Sequence, residues 1–384
     1  MIQKEVGISV YPDRYSLEFC LEKIDRAADL GYKKIFTGFT GDHTKVKLTD
    51  EYTKVFSYAR EKGMEFHVDF NNLIMESLGM SSSDLKLAAD VGISVLRVDC
   101  GITDEEIVEM TKNPYGIKIE ENLSNIRTLQ YKMELISGNG NIKNYCACHN
   151  FYPRINSGLD INYAIECAKI AKRYHCQTGA FIGSLYSSPS LVENGRGTMT
   201  IENHRYLPSH IQAYELFSSE VFDFLIFGDA NPTTEELEAV AKTTRNAFEC
   251  LFEEDKDRLT EKQKAEYKNI YCVQLPVYFE PFDKINDITK LVMRNRIDVC
   301  EEAIRVMNWR GKRIVEPMNT VPRYRGCITM DNKYNDSYSG EIEILLKDMP
   351  AVNYTNVIGM VKPYAYELID IIREGRVMFQ FTKY

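Results

Sequence analysis

Apolar and polar positions along the first two thirds of the chain follow two alternating rhythms. Short apolar runs with a two-residue period stand at Val6–Val10, Lys34–Gly38, Met64–Asp69, Val95–Asp99, Gly116–Glu120, Lys143–Cys148, Gln177–Ile182 and Phe222–Phe227, the pattern of strands. Most intervals between them carry apolar residues at helical spacing: Leu17–Leu30 before Gly31, Asp50–Arg60 before Gly63, Ser82–Val91 before Gly92, Asp160–Tyr174, and Thr234–Phe252. A glycine directly after such a stretch ends a helix well, and Thr233-Thr234-Glu235-Glu236 offers a cap with acids in the first turn. Eight strands alternating with helices predict an α/β fold, a parallel (β/α)8 TIM barrel over residues 1–255. An open doubly wound sheet is the other arrangement. It usually carries a Gly-rich phosphate loop after its first strand, whereas here that strand runs into Tyr11-Pro12-Asp13.

Beyond Phe252 the rhythm changes. Residues 253–268 are almost wholly polar and read as a linker or solvated helix. Short β-like runs follow at Lys312–Val315, Gly326–Met330, Glu341–Leu346, Asn356–Val361 and Arg376–Thr382. They predict a small, mostly β domain over residues 256–384.

Three consecutive strands end in a base-x-acid pair: His67-Val68-Asp69, Arg97-Val98-Asp99 and Lys118-Ile119-Glu120. Residues two apart on a strand share a face, so one face is charged and the other apolar. Barrel active sites gather at the C-terminal strand ends, which makes Asp69, Asp99 and Glu120 candidate catalytic acids. The competing reading is structural: each acid has a base two residues back, and interior ion pairs also hold strands together. Strand six runs into Cys148-His149-Asn150, strand eight into Gly228-Asp229.

Composition narrows the function. A net charge of −9 argues against nucleic acid or an anionic membrane as the main partner. No run approaches the roughly 20 apolar residues of a membrane span. Residues 1–10 read as a strand, not a leader, and the ten scattered cysteines read as reduced core residues of a cytoplasmic protein. Cys146-x-Cys148-His149 is spaced more tightly than structural zinc pairs and has no second cluster, so neither a metal nor a cofactor is expected. Positive charge stands at Arg196 and Arg205 in the long connection Gly183–Pro208, and at Arg323 and Arg325 in Pro322-Arg323-Tyr324-Arg325-Gly326. Arginine's planar fork suits a phosphate dianion.

Several runs, taken together and in order, resemble the 6-phospho-N-acetylmuramidase family (glycoside hydrolase family 170). They are Gly7-Ile8-Ser9-Val10-Tyr11-Pro12, Leu96-Arg97-Val98-Asp99, Asn113-Pro114-Tyr115-Gly116-Ile117-Lys118-Ile119-Glu120, Cys148–Pro153, His204-Arg205, Asn319-Thr320-Val321-Pro322, and Leu346-Lys347-Asp348-Met349-Pro350. The resemblance implies a barrel followed by a cyclophilin-like β-barrel domain. It implies hydrolysis of a 6-phosphorylated N-acetylmuramyl-N-acetylglucosamine disaccharide during cytoplasmic cell-wall recycling.

Two of the three acids are then expected to cleave the glycosidic bond, with Glu120 as proton donor, Asp99 ionised beside Arg97, and Asp69 supporting the sugar. Tyr11, His149 and Asn150 are expected to meet hydroxyl and acetyl groups, with Arg97, Lys118, Asp229 and Asn319 as further contacts and the four arginines on the 6-phosphate. Two other classes compete: a metal-dependent sugar-phosphate isomerase or aldolase, and a non-catalytic sugar-phosphate binder.

Overall fold

The computed structural model describes residues 4–39, 42–187, 197–281, 285–307 and 314–383. The chain divides into two compact units, one of Lys4–Thr244 and one that begins at Arg245.

The first unit is a closed barrel of eight parallel strands in sequential order. They are β1 (Glu5–Ser9), β2 (Lys34–Thr37), β3 (Glu65–Phe70), β4 (Val95–Val98), β5 (Lys118–Asn122), β6 (Tyr145–Cys148), β7 (Gln177–Ile182) and β8 (Phe224–Phe227). Alternation divides each strand between two environments. Val6, Ile8, Ile35, Phe66, Val68, Leu96, Ile119, Ala147, Ala180 and Leu225 are all buried, as outward strand residues are where helices cover a barrel. Helix Leu17–Asp29 buries Cys20, Ile24 and Ala27, and helix Asp50–Glu61 buries Tyr52, Val55, Phe56 and Ala59. Burying each large apolar side chain stabilises the fold by roughly 1.5–3 kcal/mol.

The glycine stops work as expected. Gly31, Gly63 and Gly92 all adopt positive φ, a conformation that costs glycine little. The long helix expected over Thr234–Phe252 is instead broken. It runs Thr234–Ala241, tightens into a 3-10 turn at Lys242–Thr244, and restarts as Ala247–Cys250 with Asn246 capping Glu249 N–H. That break is where the two units divide.

The barrel interior is polar at its N-terminal end. Lys34 Nζ lies 2.5 Å from Glu65 and 3.2 Å from Glu5, while Lys118 Nζ donates to Glu65 at 2.9 Å. The buried Phe224 ring packs beside them, with Lys34 Nζ 4.8 Å and the His67 ring 5.5 Å from its centroid. Gly179 makes room for that ring, since a Cβ there would stand 2.1 Å from Phe224 Cε2.

The second unit holds a seven-stranded sheet that curls into a half-barrel. Its strands are β9 (Cys272–Phe279), β10 (Met293–Arg294), β11 (Ala303–Arg305), β12 (Cys327–Asp331), β13 (Ile342–Leu345), β14 (Thr355–Val361) and β15 (Met378–Thr382), in the spatial order β10-β15-β9-β14-β12-β13-β11. The polar stretch 253–268 forms two short helices, Glu253–Lys256 and Glu261–Lys268.

Candidate active site

Strand register decides which charged residues meet. Asp69 on β3 pairs with Arg97 on β4, which pairs with Glu120 on β5. These three, alternately negative, positive and negative, occupy one row of the barrel. The row beneath holds His67, Val95 and Lys118. Asp99 follows the end of β4, above the row. The His67–Asp69 and Lys118–Glu120 pairs are therefore level in register, and the Arg97–Asp99 pair stands two residues higher. Strand β5 begins at Lys118, two residues later than the sequence pattern suggests, so Glu120 lies mid-strand and not at a strand end.

At the C-terminal mouth a cavity of about 150 Å³ is lined by Phe36, Asp69, Arg97, Asp99, Asn150, Phe151 and Phe181. Phe36, Phe151 and Phe181 meet one another edge to face, with centroids 5.1–6.1 Å apart. This apolar wall dries one side of the cavity. The Asp69 side chain is 38% exposed, yet its Oδ1 is buried and accepts no hydrogen bond. Its nearest cation, Arg97 Nε, stands 3.7 Å from Oδ1. Burial pushes the Asp69 carboxyl up to about 6, the pull of Arg97 being opposed by Asp99 and Glu120. Asp99 is exposed at the rim.

Glu120 has a different position from the one its sequence context suggests. It is fully buried, with Oε1 2.5 Å from Arg97 Nη1 and Oε2 2.9 Å from His67 Nδ1. Burial alone would raise its carboxyl, but His67 and Arg97 outweigh that and hold it at about 2. A carboxylate so held has no proton to give near neutral pH, and no open side from which to give it. The expectation that Glu120 is the proton donor is corrected on this ground. The Arg97 guanidinium is further anchored by the Cys148 carbonyl at 3.3 Å and by Asn150 Oδ1.

Of the other candidates, Asn150 lines the cavity and the rest do not. Lys118 is at the opposite end of the barrel, paired with Glu65 and Gln177. His149 follows inward-facing Cys148 and so points outward. Its Nε2 donates to the Ala164 carbonyl at 3.1 Å and its Nδ1 accepts from Ser124 Oγ at 2.8 Å, and burial lowers the ring to about 4. Tyr11 is 5% exposed and packs edge to face on Phe36. Asp229 is buried and accepts the Ser184 and Thr198 amides at 2.8 and 3.1 Å, tying together two parts of the strand-seven connection. For Lys118, His149 and Asp229 these are corrections to the expectation of substrate contact, because the side chain's polar atoms are engaged inside the protein or lie away from the mouth, whereas the buried Tyr11 hydroxyl is close enough to Asp69 to feel its charge.

The arginines fare similarly. Arg205 is 1% exposed; its Nε and Nη2 grip Glu202 at 2.8 and 2.6 Å, and Nη2 also reaches the Tyr152 and Arg154 carbonyls. It is a strut between two loops and not a phosphate ligand. Arg196 lies outside the described residues. In the second unit, Arg325 Nη2 pairs with Asp370 at 3.0 Å, Arg323 donates from Nε and Nη2 to the Pro350 carbonyl, and Asn319 Nδ2 donates to the Val357 carbonyl. Among the described residues, no three His, Cys, Asp or Glu side chains are placed to hold one metal ion, and no helix is long and apolar enough to cross a membrane.

Sequence reasoning missed the phenylalanine wall. Phe36 and Phe181 are inward-facing residues near the ends of β2 and β7, and Phe151 stands inside the quoted run Cys148–Pro153. Those three positions were the available signal.

Residues 6–242 match the family model described as 6-phospho-N-acetylmuramidase, N-terminal, and residues 275–382 match the corresponding C-terminal model. The chain belongs to the 6-phospho-N-acetylmuramidase family. The family is named for a glycosidase activity. A solved structure of an uncharacterized B. cereus protein superimposes with a TM-score of 0.82 at 27% identity, covering 99% of this chain and 100% of that one. A conserved protein of unknown function from Enterococcus faecalis gives 0.71 at 21% identity, covering 99% and 96%, and shares the fold. No curated protein matches the chain.

Proposed function

We propose that this protein hydrolyses the glycosidic bond of a 6-phosphorylated N-acetylmuramyl-N-acetylglucosamine disaccharide, with Asp69 as proton donor and Asp99 as the second carboxyl group. The reading includes the setting expected from the sequence, the breakdown of recovered wall fragments in the cytoplasm. Membership of the family supports the substrate class. The observation that carries the mechanism is a pair of aspartates lining one cavity, Asp69 with a buried oxygen that accepts no hydrogen bond and Asp99 exposed.

Glycosidic cleavage asks two opposite things of two carboxyl groups. One delivers a proton to the leaving oxygen as the C–O bond breaks and its electron pair passes to that oxygen. Asp69, held near 6 by its partly dried site, is protonated often enough to do so. The other supplies negative charge where the anomeric carbon becomes oxocarbenium-like, and Asp99 at the rim serves there. A water oxygen then bonds to the anomeric carbon, and the proton that water loses returns to Asp69. Arg97 and Asn150 offer polar contacts to the sugar, and the phenylalanine wall packs against its apolar face.

The test is incubation with the 6-phosphorylated disaccharide and with its unphosphorylated counterpart, reading products by mass and anomeric configuration. Two monosaccharides from the phosphorylated compound, formed much faster than from the other, is the expected result. No cleavage of either would overturn the proposal, and equal cleavage would remove the phosphate from it.

A further inference from the structure

The buried part of the charged row has no role in bond cleavage as proposed above, yet it is built with care. Arg97 is one cation placed between two carboxylates, Asp69 on β3 and Glu120 on β5. It does not divide itself evenly. Nη1 closes on Glu120 Oε1 at 2.5 Å, whereas Nε stops 3.7 Å short of Asp69 Oδ1, which accepts no hydrogen bond. The second oxygen of Glu120 is taken by His67 Nδ1 at 2.9 Å. An ionised carboxylate only accepts, so His67 is the donor there and its proton sits on Nδ1. The opposite ring nitrogen, Nε2, is buried without a hydrogen-bond partner, with Glu65 Oε2 4.0 Å away.

We propose that Glu120 is a positioning residue: clamped from below by His67, it draws the Arg97 guanidinium toward β5 and keeps it from closing on Asp69, which leaves Asp69 free to carry the proton that the reaction needs. This rests on the reading of Asp69 as proton donor. The physical argument is competition. An arginine that forms a direct hydrogen-bonded pair with an aspartate favours the charged carboxylate and so removes its proton. Glu120 wins the guanidinium because it is fully buried, with only the His67 ring and the weakly donating Cys146 thiol as its other partners, both on Oε2. Asp69 faces a cavity and keeps partial access to water.

Four charged or titratable groups act on the Asp69 carboxyl. Arg97 from β4 favours ionisation, and so does His43 from the connection after β2. Asp99 beyond β4 and Glu120 from β5 oppose it. Tyr11 after β1 keeps its own proton, chiefly through burial, with the Asp69 charge adding to it.

Removing Glu120 therefore acts twice in the same direction. It takes away a nearby negative charge, and it releases Arg97 to approach Asp69. The test is the titration of the Asp69 carboxyl carbon, followed by NMR in protein labelled at the aspartate side-chain carbonyl and assigned by its absence in Asp69→Asn. In Glu120→Gln the midpoint is expected to fall by about 1–2 pH units. Glu120→Asp keeps the charge but is too short to reach His67 and Arg97 together, so a smaller fall is expected. It also serves alone if the glutamine variant does not fold. An unchanged midpoint in Glu120→Asp, or in a folded Glu120→Gln, would overturn the proposal. The readout is independent of turnover: if Asp69→Asn keeps full activity, the donor reading fails while the titration still decides what Glu120 does.

Discussion

Asp69 and Arg97 are register partners on adjacent strands, and their charged groups face each other at 3.7 Å without closing a hydrogen bond. An aspartate beside an arginine ordinarily ionises more easily. Here burial wins, and the carboxyl rises to about 6. The sign for catalysis follows directly. A proton donor works while protonated, so turnover should be full below that value and fall as pH rises through about 6. The measurement is kcat against pH on the phosphorylated disaccharide. In Asp69→Asn that alkaline limb is expected to vanish, together with a 10²–10⁴-fold loss of rate, the usual contribution of general acid catalysis. A limb at the same pH in the variant would show that another group produces it.

Asp99 is exposed at the rim, and its carboxyl group makes no hydrogen bond or ion pair among the described residues. Its removal should cost little stability, within about 0.5 kcal/mol, as for most surface substitutions. Asp99→Asn is therefore expected to melt at nearly the wild-type temperature while kcat falls by orders of magnitude. Calorimetry and steady-state kinetics on one preparation check both halves. A near-normal rate would remove Asp99 from the mechanism.

Arg205 makes the opposite prediction. It is buried against Glu202 and two carbonyls, and Glu202 in turn accepts the Asn156 and Gly158 amides at 2.8 and 2.7 Å. Arg205→Ala strips the cation from this knot and leaves a cavity, at a cost of about 3 kcal/mol. The expected outcome is a lowered denaturant midpoint with the ratio of rates on phosphorylated and unphosphorylated substrate unchanged. Selective loss of the phosphorylated substrate would restore Arg205 as a phosphate ligand.

The barrel was legible because its evidence is periodic: eight apolar runs, helices between them and glycines at the right breaks. The level of each charge was not legible. A base-x-acid pattern says which face Glu120 shares with Lys118, but not where β5 starts, and two residues of offset move Glu120 from mouth to interior. His149 could have been read correctly. Alternation from inward Cys148 turns it outward, toward helix Ile161–Lys172. Arg205 offered one clue, an acid three residues earlier at Glu202, which marks a local pair as readily as a solvated turn. The second unit was read less well: strands β9, β10 and β11 were missed, and the expected run Lys312–Val315 lies partly outside the described residues. Of these, β9 is the longest. Pro276 interrupts that run and argues against a central strand. In the structure it stands at the last register position shared with β15, just where β9 turns to pairing with β14.

The second unit carries its own pH signature. Glu343 on β13 stands opposite Arg305 and Thr329, and burial, with Asp331 and Glu341 adding to it, raises its carboxyl to about 7. Arg305 gives its closer contact to Glu341, at 2.5 Å, and remains 3.7 Å from Glu343. The folded state therefore holds a proton that the unfolded chain has already lost. That contribution to stability is complete below about 4.3, the ordinary glutamate value, and disappears as pH rises through about 7. Glu343→Gln mimics the protonated form at every pH. Its melting temperature should match the wild type near pH 4 and exceed it at pH 8, the gap opening between those limits. The Glu343 side chain is 27% exposed, so solvent screening keeps the gap modest. A melting temperature equally displaced at both ends of the range would mean that Glu343 acts by packing and not by its charge.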